Sequence, residues 1–369
     1  MKSRQWLAMA AASVLAIGVA ACGSSNNDNA GSTGGGGGKS SGTADGAGST
    51  FAAPIYQQWG STLKGDGATI NYQPVGSGAG IAQLTAGTVA FAGSDPPMKP
   101  EEISAAKKKG DPVHIPVAFG AITVSYNLSG VKSGLKLDGA TIADIFLGKV
   151  KKWNDPEIAK LNPGTSLPSS NITVIHRSDE SGTTKGFTDF LQSYSSEWKS
   201  KVGSDKTVKW PTGTGAKGND GVAAAIKQTA GSIGYVEQAY ALQNNFTTAD
   251  VKNQSGKFVA PSLESTTAAG EGVKVPSNLQ FTIINSPNPA AYPIASQTFL
   301  IVYKDDCKAG VLKKADAPAL GTFLNYAVGQ GQSVLGQLQY AKLPSAIQTK
   351  AQDAVKGLQC NGSPLGGSA

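Results

Sequence analysis

Three short segments rich in glycine and hydroxyl residues precede predicted helices, and each has the composition of an anion-binding loop. They are Gly48–Phe51, Gly76–Gly80 and Ser181–Thr184. The first turn of a helix offers backbone N–H groups without intrahelical partners and the positive end of the helix dipole. Because glycine lets a ligand approach the backbone and hydroxyl groups add donors, the three segments together predict a site for a small anion. Each segment alone is better explained as an ordinary N-cap.

Residues that would indicate other chemistry are sparse. The segment Gly213–Asp220 looks like a phosphate loop, but no Ser or Thr follows its Gly-Lys pair at the required spacing, and we interpret it as a turn or hinge loop. The two histidines, His114 and His176, and the three cysteines show no metal-ligand spacing. No grouping of nucleophile and base is evident either. We therefore expect a binding protein that is not an enzyme and has no cofactor or metal.

The elements that must position these segments alternate between strand and helix. Strands are predicted over Thr69–Val75, Val113–Tyr126, Ile172–Ile175, Ile233–Val236 and Phe299–Tyr303. The three glycine-rich segments lead into helices, the last of which carries apolar residues at helical spacing from Phe187 to Trp198. This alternation predicts an α/β fold with mostly parallel strands. A folded part of about 320 residues favours two domains over one.

The N-terminus has the pattern of an export signal. Lys2 and Arg4 precede an apolar run that is too short to span a membrane comfortably and is typical of a secretory signal. The run ends in Val19–Cys22, Val-Ala-Ala-Cys, which resembles the bacterial lipobox. We predict a signal peptide at 1–21, an acylated Cys22 carrying palmitate-like chains, and a flexible Gly/Ser tether at 22–47. A plain signal peptide with a coincidental cysteine is the alternative.

The remaining cysteines and the overall charge narrow the class further. Cys307 and Cys360 suggest one disulfide in an exported domain, with two buried thiols as the alternative. The formal net charge is +7, but the chain has no arginine-rich or aromatic-interleaved basic stripe. We therefore expect no nucleic-acid partner. A mildly basic surface would help to attract small anions.

Six stretches in consistent order resemble the phosphate-binding protein of the bacterial high-affinity phosphate ABC transporter. They are residues 46–60, 71–81, 89–98, 142–164, 176–184 and 210–224, and the resemblance extends over about residues 46–360. It implies a type II periplasmic-binding-protein fold, with two α/β lobes, hinge crossings and a central ligand cleft. Lobe 1 would comprise 48–123 and 295–369, and lobe 2 would comprise 124–294. It also implies delivery of inorganic phosphate to a transmembrane permease and its ATPase, from the outer face of the cytoplasmic membrane.

The resemblance assigns individual residues to the phosphate site. Asp95 matches the aspartate that accepts a proton from the ligand, Arg177 the binding arginine, and Asp179 the acid that orients it. The other positions match hydroxyl or backbone contacts: Thr50, Phe51, Ser77, Ser181, Gly182 and Thr183. The chain departs from better-known members at His176 and Glu180, where they have Arg and Gly. Its second loop is Gly-Ser-Gly-Ala-Gly instead of a Ser-Ser pair.

This residue set would select phosphate over sulfate. Phosphate near neutral pH retains a P–O–H group and sulfate does not. An ionised Asp95 can only accept, so it would bond phosphate and repel sulfate. A site built around one ligand hydroxyl can reject an analogue that lacks it by about 10⁴-fold. Two other functions remain open from the sequence: a phosphate sensor or surface protein without a transport role, and a phosphatase.

Overall fold

The computed structural model describes residues 41–365. The predicted signal peptide, Cys22 and most of the predicted tether lie outside the described residues. The prediction of a flexible tether is wrong over 42–47, because Gly42–Gly48 forms a strand. Its small residues read as a linker, but packing requires them: Ala44 and Ala47 are fully buried, and a Cβ on Gly46 would collide with the ring of Phe91.

Thirteen strands and twelve α-helices make up the described range. The strands are β1 Gly42–Gly48, β2 Ala68–Pro74, β3 Phe91–Ser94, β4 Pro112–Asn127, β5 Leu135–Leu137, β6 Thr173–Arg177, β7 Thr214–Ala216, β8 Ser232–Glu237, β9 Thr247–Lys252, β10 Phe258–Val259, β11 Ala295–Tyr303, β12 Gln359–Cys360 and β13 Ser363–Pro364. The helices are α1 Ala53–Lys64, α2 Ser77–Ala86, α3 Pro100–Ala106, α4 Gly139–Phe146, α5 Pro156–Ala159, α6 Gly182–Tyr194, α7 Ser196–Lys201, α8 Gly218–Gln228, α9 Gln238–Gln243, α10 Leu263–Gly270, α11 Ala317–Val328 and α12 Ser345–Lys356. Two 3₁₀ helices, Lys314–Asp316 and Gln330–Leu338, flank α11.

One mixed sheet runs through the molecule in the order β2-β1-β3-β11-β4-β8-β6-β7, with β9, β5 and β10 attached beside β4. Pairing is parallel among β2, β1 and β3 and again among β8, β6 and β7. The central strand pairs are antiparallel, so the expectation of mostly parallel pairing holds only toward the two ends.

Strand β4 joins the two ends of this sheet. Its residues 112–121 pair with β11, and its residues 122–127 pair with β8. We call β2, β1, β3, β11 and residues 112–121 the first half-sheet, and residues 122–127 with β8, β6 and β7 the second half-sheet. The change of partner falls close to the predicted lobe boundary at 123/124. The lobe boundaries themselves stay a prediction.

Helix α6 shows how the sequence fixes an element that bears on the site. Its apolar face buries Phe187, Phe190 and Leu191. Phe187 stacks on Tyr235 of the second half-sheet with ring centroids 4.3 Å apart. The helix ends before Trp198, which the spacing had placed on the same helix. Ser195 has extended backbone angles and caps α7, accepting a hydrogen bond from the Trp198 N–H at 3.1 Å. A serine that can cap the next helix therefore ends this one.

The C-terminal segment is tied to the first half-sheet by a disulfide. The structure joins Cys307, just beyond β11, to Cys360 in β12, as predicted. None of the helices in 41–365 has the length and apolar character needed to cross a membrane.

Candidate anion-binding site

The three glycine-rich segments meet at one place between the two half-sheets. The first follows β1 and precedes α1, the second contains the start of α2, and the third follows β6 and starts α6. All eight residues predicted to contact the ligand are buried: Thr50, Phe51, Ser77, Asp95, Arg177, Ser181, Gly182 and Thr183. The structure brings these residues together, and their role in binding a ligand stays a prediction.

Asp95 follows β3 and is 1% exposed. Its Oδ1 accepts hydrogen bonds from Ser49 Oγ at 2.6 Å and Thr298 Oγ1 at 2.9 Å. Its Oδ2 has a longer contact, 3.4 Å from Ser77 Oγ. The Gln297 side chain donates to the Asp95 carbonyl at 2.8 Å and fixes the peptide. Two hydroxyl donors therefore saturate one carboxylate oxygen and leave the other able to accept a hydrogen bond from a ligand.

The surroundings of Asp95 also set its charge. Burial raises the pKa of Asp95 to about 6, and the hydrogen bonds from Ser49 and Thr298 and the charge of Arg177 limit the rise. The carboxyl group is therefore ionised at neutral pH, in a place where ionisation is costly. An ionised carboxylate is the acceptor that a protonated oxyanion requires.

Arg177 ends β6, and its side chain is 1% exposed. Its Nε donates to Asp179 Oδ1 at 2.7 Å, and its Nη2 donates to Asp179 Oδ2, which makes a two-bond fork. Burial alone would raise the pKa of Asp179, but the hydrogen bonds and charge of Arg177 hold that pKa below its usual value. Because one edge of the Arg177 guanidinium group binds Asp179, Nη1 is the nitrogen left for other contacts. It lies 3.4 Å from Thr183 Oγ1.

Two glycines permit the close approach of these elements. Gly76 precedes α2 with φ of +99°, and a Cβ there would lie 2.7 Å from both Asp179 Oδ2 and the Glu180 carbonyl oxygen. A Cβ on Gly182 would collide with Asp95 Oδ2 and Ser77 Oγ. The start of α6 therefore lies directly against the carboxylate, and only glycine fits at both positions.

Asn219, at the start of α8, connects two of the predicted ligand residues. Its backbone N–H and its Nδ2 both donate to Thr50 Oγ1, at 3.2 and 2.9 Å, and Nδ2 also lies 3.3 Å from Thr183 Oγ1. Its Oδ1 accepts from the Glu237 N–H at 3.0 Å. A hydroxyl has two acceptor lone pairs, and Asn219 occupies both on Thr50. The Thr50 hydroxyl must then act as a donor toward the site.

Backbone donors are available around the same space. Among the hydrogen bonds of residues 41–365, none uses the backbone N–H of Thr50 or Phe51. Gly182 and Thr183 are the first two residues of α6, whose N–H groups have no intrahelical partner. Ser181 caps the helix by accepting from the Thr184 N–H at 3.0 Å. Several N–H groups and the positive end of a helix therefore face the site that Asp95 borders.

The departures from the family pattern have local explanations. His176 stacks on Trp210 with ring centroids 4.7 Å apart, and its Nδ1 donates to the Arg177 carbonyl at 3.0 Å. It therefore holds the backbone of the arginine that is predicted to bind the ligand. The Glu180 carbonyl accepts from the Gly78 N–H at 3.0 Å, and a Cβ on Gly78 would collide with the Glu180 side chain. The altered second loop therefore makes room for the altered residue in the third.

Two ion pairs beside the site connect the segment around α3 with residues 205 and 206. We call the four residues of these pairs the latch. Lys99 Nζ lies 2.5 Å from Asp205 Oδ2, and Lys206 Nζ contacts Glu102 Oε1. Glu102 Oε2 also accepts from the Lys99 N–H at 2.8 Å, and Asp205 Oδ1 accepts from the Lys206 N–H at 2.6 Å, which closes a ring. The Lys206 carbonyl accepts from the Ser181 N–H at 2.9 Å, so the latch is attached directly to the third loop.

Several residues of this arrangement were not predicted from the sequence. Ser49 lay inside the first segment but was not assigned a role, and Thr298 and Gln297 are more than 200 positions from Asp95. The segment Gly213–Asp220 was interpreted as a turn or hinge loop. It instead supplies Asn219 and the Gly218 N–H, which donates to Asp179 Oδ1 at 3.1 Å. Its resemblance to a phosphate loop was the one available signal.

Comparison with known proteins gives consistent matches over most of the chain. Residues 33–330 match a family model described as a PBP superfamily domain. The chain is 43% identical over 314 residues to the phosphate-binding protein PstS of Pasteurella multocida, covering 84% of this chain and 89% of that protein. It is also 43% identical over 306 residues to the phosphate-binding protein PstS of Haemophilus influenzae, covering 82% and 89%.

Solved structures confirm the predicted fold. A high-affinity periplasmic phosphate-binding protein, PfluDING, solved with bound phosphate, superposes with a TM-score of 0.68 at 20% identity. The match covers 86% of this chain and 99% of that one. The α/β periplasmic-binding-protein-like fold expected from the sequence is therefore the fold of this chain.

Proposed function

Because this chain belongs to the PBP superfamily and, within it, to the PstS phosphate-binding proteins, we propose that it binds inorganic phosphate outside the cytoplasm. It delivers the phosphate to the transmembrane permease and ATPase of an ABC transporter. PfluDING, which shares the fold, is described as a periplasmic phosphate-binding protein, and the lipobox-like Val19–Cys22 supports an extracytoplasmic location for this chain.

One observation supports the proposal most directly: the buried carboxyl group of Asp95 borders a space surrounded by helix N-termini. Helix starts and Arg177 alone would hold any small oxyanion. The carboxylate oxygen Oδ2, with one long contact to Ser77, adds an acceptor that only a protonated oxyanion can use. Sulfate would bring two like charges together and leave both without a hydrogen bond. Phosphate is the common oxyanion that fits both features.

Backbone donors and a helix dipole, not charged side chains, balance the negative charge of the ligand in this proposal. Arg177 supplies one positive charge, and Asp179 offsets it. The side chains at the site are therefore not net positive once Asp95 is counted. In this proposal the attraction comes from the N–H groups of Thr50, Phe51, Gly182 and Thr183 and from the dipole of α6, supplemented by the Thr50 hydroxyl.

We further propose that the protein does no covalent chemistry on phosphate. His176 has Nδ1 engaged by the Arg177 carbonyl and its ring face covered by Trp210. His114 is 1% exposed, and its Nε2 accepts from the Met98 N–H at 3.0 Å. Neither imidazole is placed to activate a nucleophile beside the site. Purified protein should therefore not hydrolyse phosphate esters.

The lipid anchor is part of the proposal. A signal peptide at 1–21 and an acylated Cys22 would hold the domain at the outer face of the cytoplasmic membrane. Metabolic labelling with a palmitate analogue should mark the wild-type protein, and Cys22→Ala should abolish the label and release the protein from the membrane. Labelling that persists in this variant would contradict the anchor.

Titration calorimetry with phosphate tests the binding proposal, and phosphate uptake by a deletion strain tests transport. We expect tight binding, and uptake that is lost on deletion and restored by the intact gene. Absence of binding would refute the proposal. Binding with normal uptake in the deletion strain would favour the alternative of a phosphate sensor or surface protein.

A further inference from the structure

Glu237 is a buried acid that the proposed binding scheme does not use. It ends β8 and pairs across the sheet with Ile122 of β4, where β4 passes from the first half-sheet to the second. Its side chain is 0% exposed. None of the ion pairs formed within residues 41–365 includes Glu237. Its Oε2 accepts a hydrogen bond from the Ala239 N–H at 2.8 Å, and its Oε1 has no hydrogen-bond partner. A carboxylate in such a place would be an uncompensated buried charge.

The hydrogen bonds around Tyr340 indicate where the proton of an uncharged Glu237 would lie. The Tyr340 hydroxyl oxygen lies 2.6 Å from the Phe51 carbonyl oxygen and 2.8 Å from Glu237 Oε2. A phenol has one hydrogen, and the Phe51 carbonyl can only accept, so the Tyr340 hydrogen goes to Phe51. Both separations are those of full hydrogen bonds, so the hydrogen between Tyr340 and Glu237 comes from Glu237 Oε2. As a hydroxyl, Oε2 keeps a lone pair for the Ala239 N–H, which donates to it at 2.8 Å. Burial raises the pKa of Glu237 well above its usual value, which agrees with a protonated acid.

Glu237 touches the candidate site by two routes. Through Tyr340 it holds the carbonyl of Phe51, a residue whose backbone N–H is a predicted ligand donor. Through its own backbone N–H it holds Asn219, which fixes the hydroxyl of Thr50. Tyr340 also packs edge-on against the Phe51 ring at 6.0 Å. One residue of the second half-sheet therefore restrains both donors of the first loop.

We propose that Glu237 is a neutral carboxylic acid and a positioning residue for the anion site: it donates its proton to Tyr340, and Tyr340 orients the Phe51 peptide toward the ligand. A neutral acid holds this loop without adding a second negative charge beside Asp95. The positioning part of this inference rests on the proposed phosphate binding, whereas the protonation of Glu237 does not.

Infrared difference spectroscopy tests the protonation directly, on full-length protein without phosphate at neutral pH. The difference between wild type and Glu237→Gln should contain the carbonyl stretch of a protonated carboxylic acid. Loss of carboxylate stretches instead would overturn the proposal. Should Glu237→Gln fail to fold, Tyr340→Phe removes the acceptor of the proton and should shift the same band. An unchanged band in that variant would refute the assigned contact.

Phosphate titration of the same variants tests the positioning role. The amide introduced by Glu237→Gln can still donate to Tyr340 without a charge, but its nitrogen cannot accept the Ala239 N–H bond that Oε2 accepts at 2.8 Å. This variant should therefore raise the phosphate Kd, but by less than Tyr340→Phe does. Tyr340→Phe leaves the Phe51 carbonyl and the proton of Glu237 without partners and should raise the Kd roughly tenfold. If Tyr340→Phe lowers the melting temperature but leaves the Kd unchanged, the contact between Tyr340 and Glu237 only stabilises the fold. That result would overturn the positioning role. Failure of the wild type to bind phosphate would refute the proposed function and leave the infrared result standing.

Discussion

Glu102→Gln should weaken phosphate binding about thirtyfold and leave the phosphate-free protein nearly as stable as wild type. Glu102 pairs with Lys206, whose side chain is only 6% exposed, while Glu102 itself is 20% exposed. Removing one partner of a fully buried ion pair costs about 3–5 kcal/mol. Because Glu102 retains some contact with solvent, we take about 2 kcal/mol, which corresponds to roughly thirtyfold in Kd.

The loss should appear in binding because the latch joins segments from the two predicted lobes. Glu102 lies in 48–123 and Lys206 in 124–294, so hinge opening would separate them and return Lys206 to water. The substitution to Gln preserves an amide oxygen that can still accept from the Lys99 N–H, which Glu102 Oε2 accepts at 2.8 Å. Helix α3 should therefore remain capped, and the effect should be confined to the ion pair.

The other pair of the latch supplies a matched control. Lys99 and Asp205 are 34% and 38% exposed, and exposed pairs contribute only about 0.2–1 kcal/mol. Lys99→Met should therefore raise the Kd by no more than about fivefold. Calorimetry gives the two Kd values, and thermal melts without phosphate give the two stabilities. Equal effects of the two variants on Kd, or a Glu102→Gln loss that appears fully in the melt, would refute the reasoning.

Three further predictions concern stability and access. Burial raises the pKa of Asp95 from 3.8 to about 6, so its ionisation costs the phosphate-free fold about 3 kcal/mol above pH 6 and nothing below pH 4. Asp95→Asn should therefore raise the melting temperature of the phosphate-free protein at pH 7 and lose this advantage as the pH falls to 4. An equal rise in melting temperature at pH 7 and pH 4 would contradict this prediction. Gly182→Ala should abolish detectable phosphate binding, because its Cβ would collide with Asp95 and Ser77, and wild-type affinity would refute the close approach. The Cys307–Cys360 disulfide closes a loop with a sequence separation of 53, so replacing both cysteines by serine should cost about 4 kcal/mol in urea unfolding, and no loss would contradict the loop-entropy argument.

Much of the fold could be predicted because its signals are local. Thr69–Val75, Ile172–Ile175 and Ile233–Val236 carry strand composition, and the structure places β2, β6 and β8 there. The first strand was missed because five of the seven residues of Gly42–Gly48 are glycine or alanine, and its pairing with β2 and β3 depends on backbone hydrogen bonds. Amino-acid composition distinguishes poorly between a flexible linker and a buried strand whose close packing requires small side chains.

The parts of the site that are formed by local loop segments could be predicted from the sequence. The parts that depend on contacts between residues far apart in the sequence could not. Glycine and hydroxyl residues before α1, α2 and α6 indicated an anion site. Asp95 and Arg177 needed the family resemblance, since each alone is typical of a turn residue or a surface ion pair. Glu237 carries no local signal, and Asn219 has only the resemblance of its segment to a phosphate loop. Their functions arise from contacts with Tyr340 and Thr50, which lie 103 and 169 positions away.

The selectivity between phosphate and sulfate is the most direct test of the account. Calorimetric titration of the wild type with each anion above pH 6, where Asp95 is ionised, should give a preference for phosphate of about 10⁴-fold or more. The same titrations of Asp95→Asn should show a much smaller ratio, because the amide can donate to sulfate. Equal affinities in the wild type, or an unchanged ratio in the variant, would contradict the role assigned to Asp95.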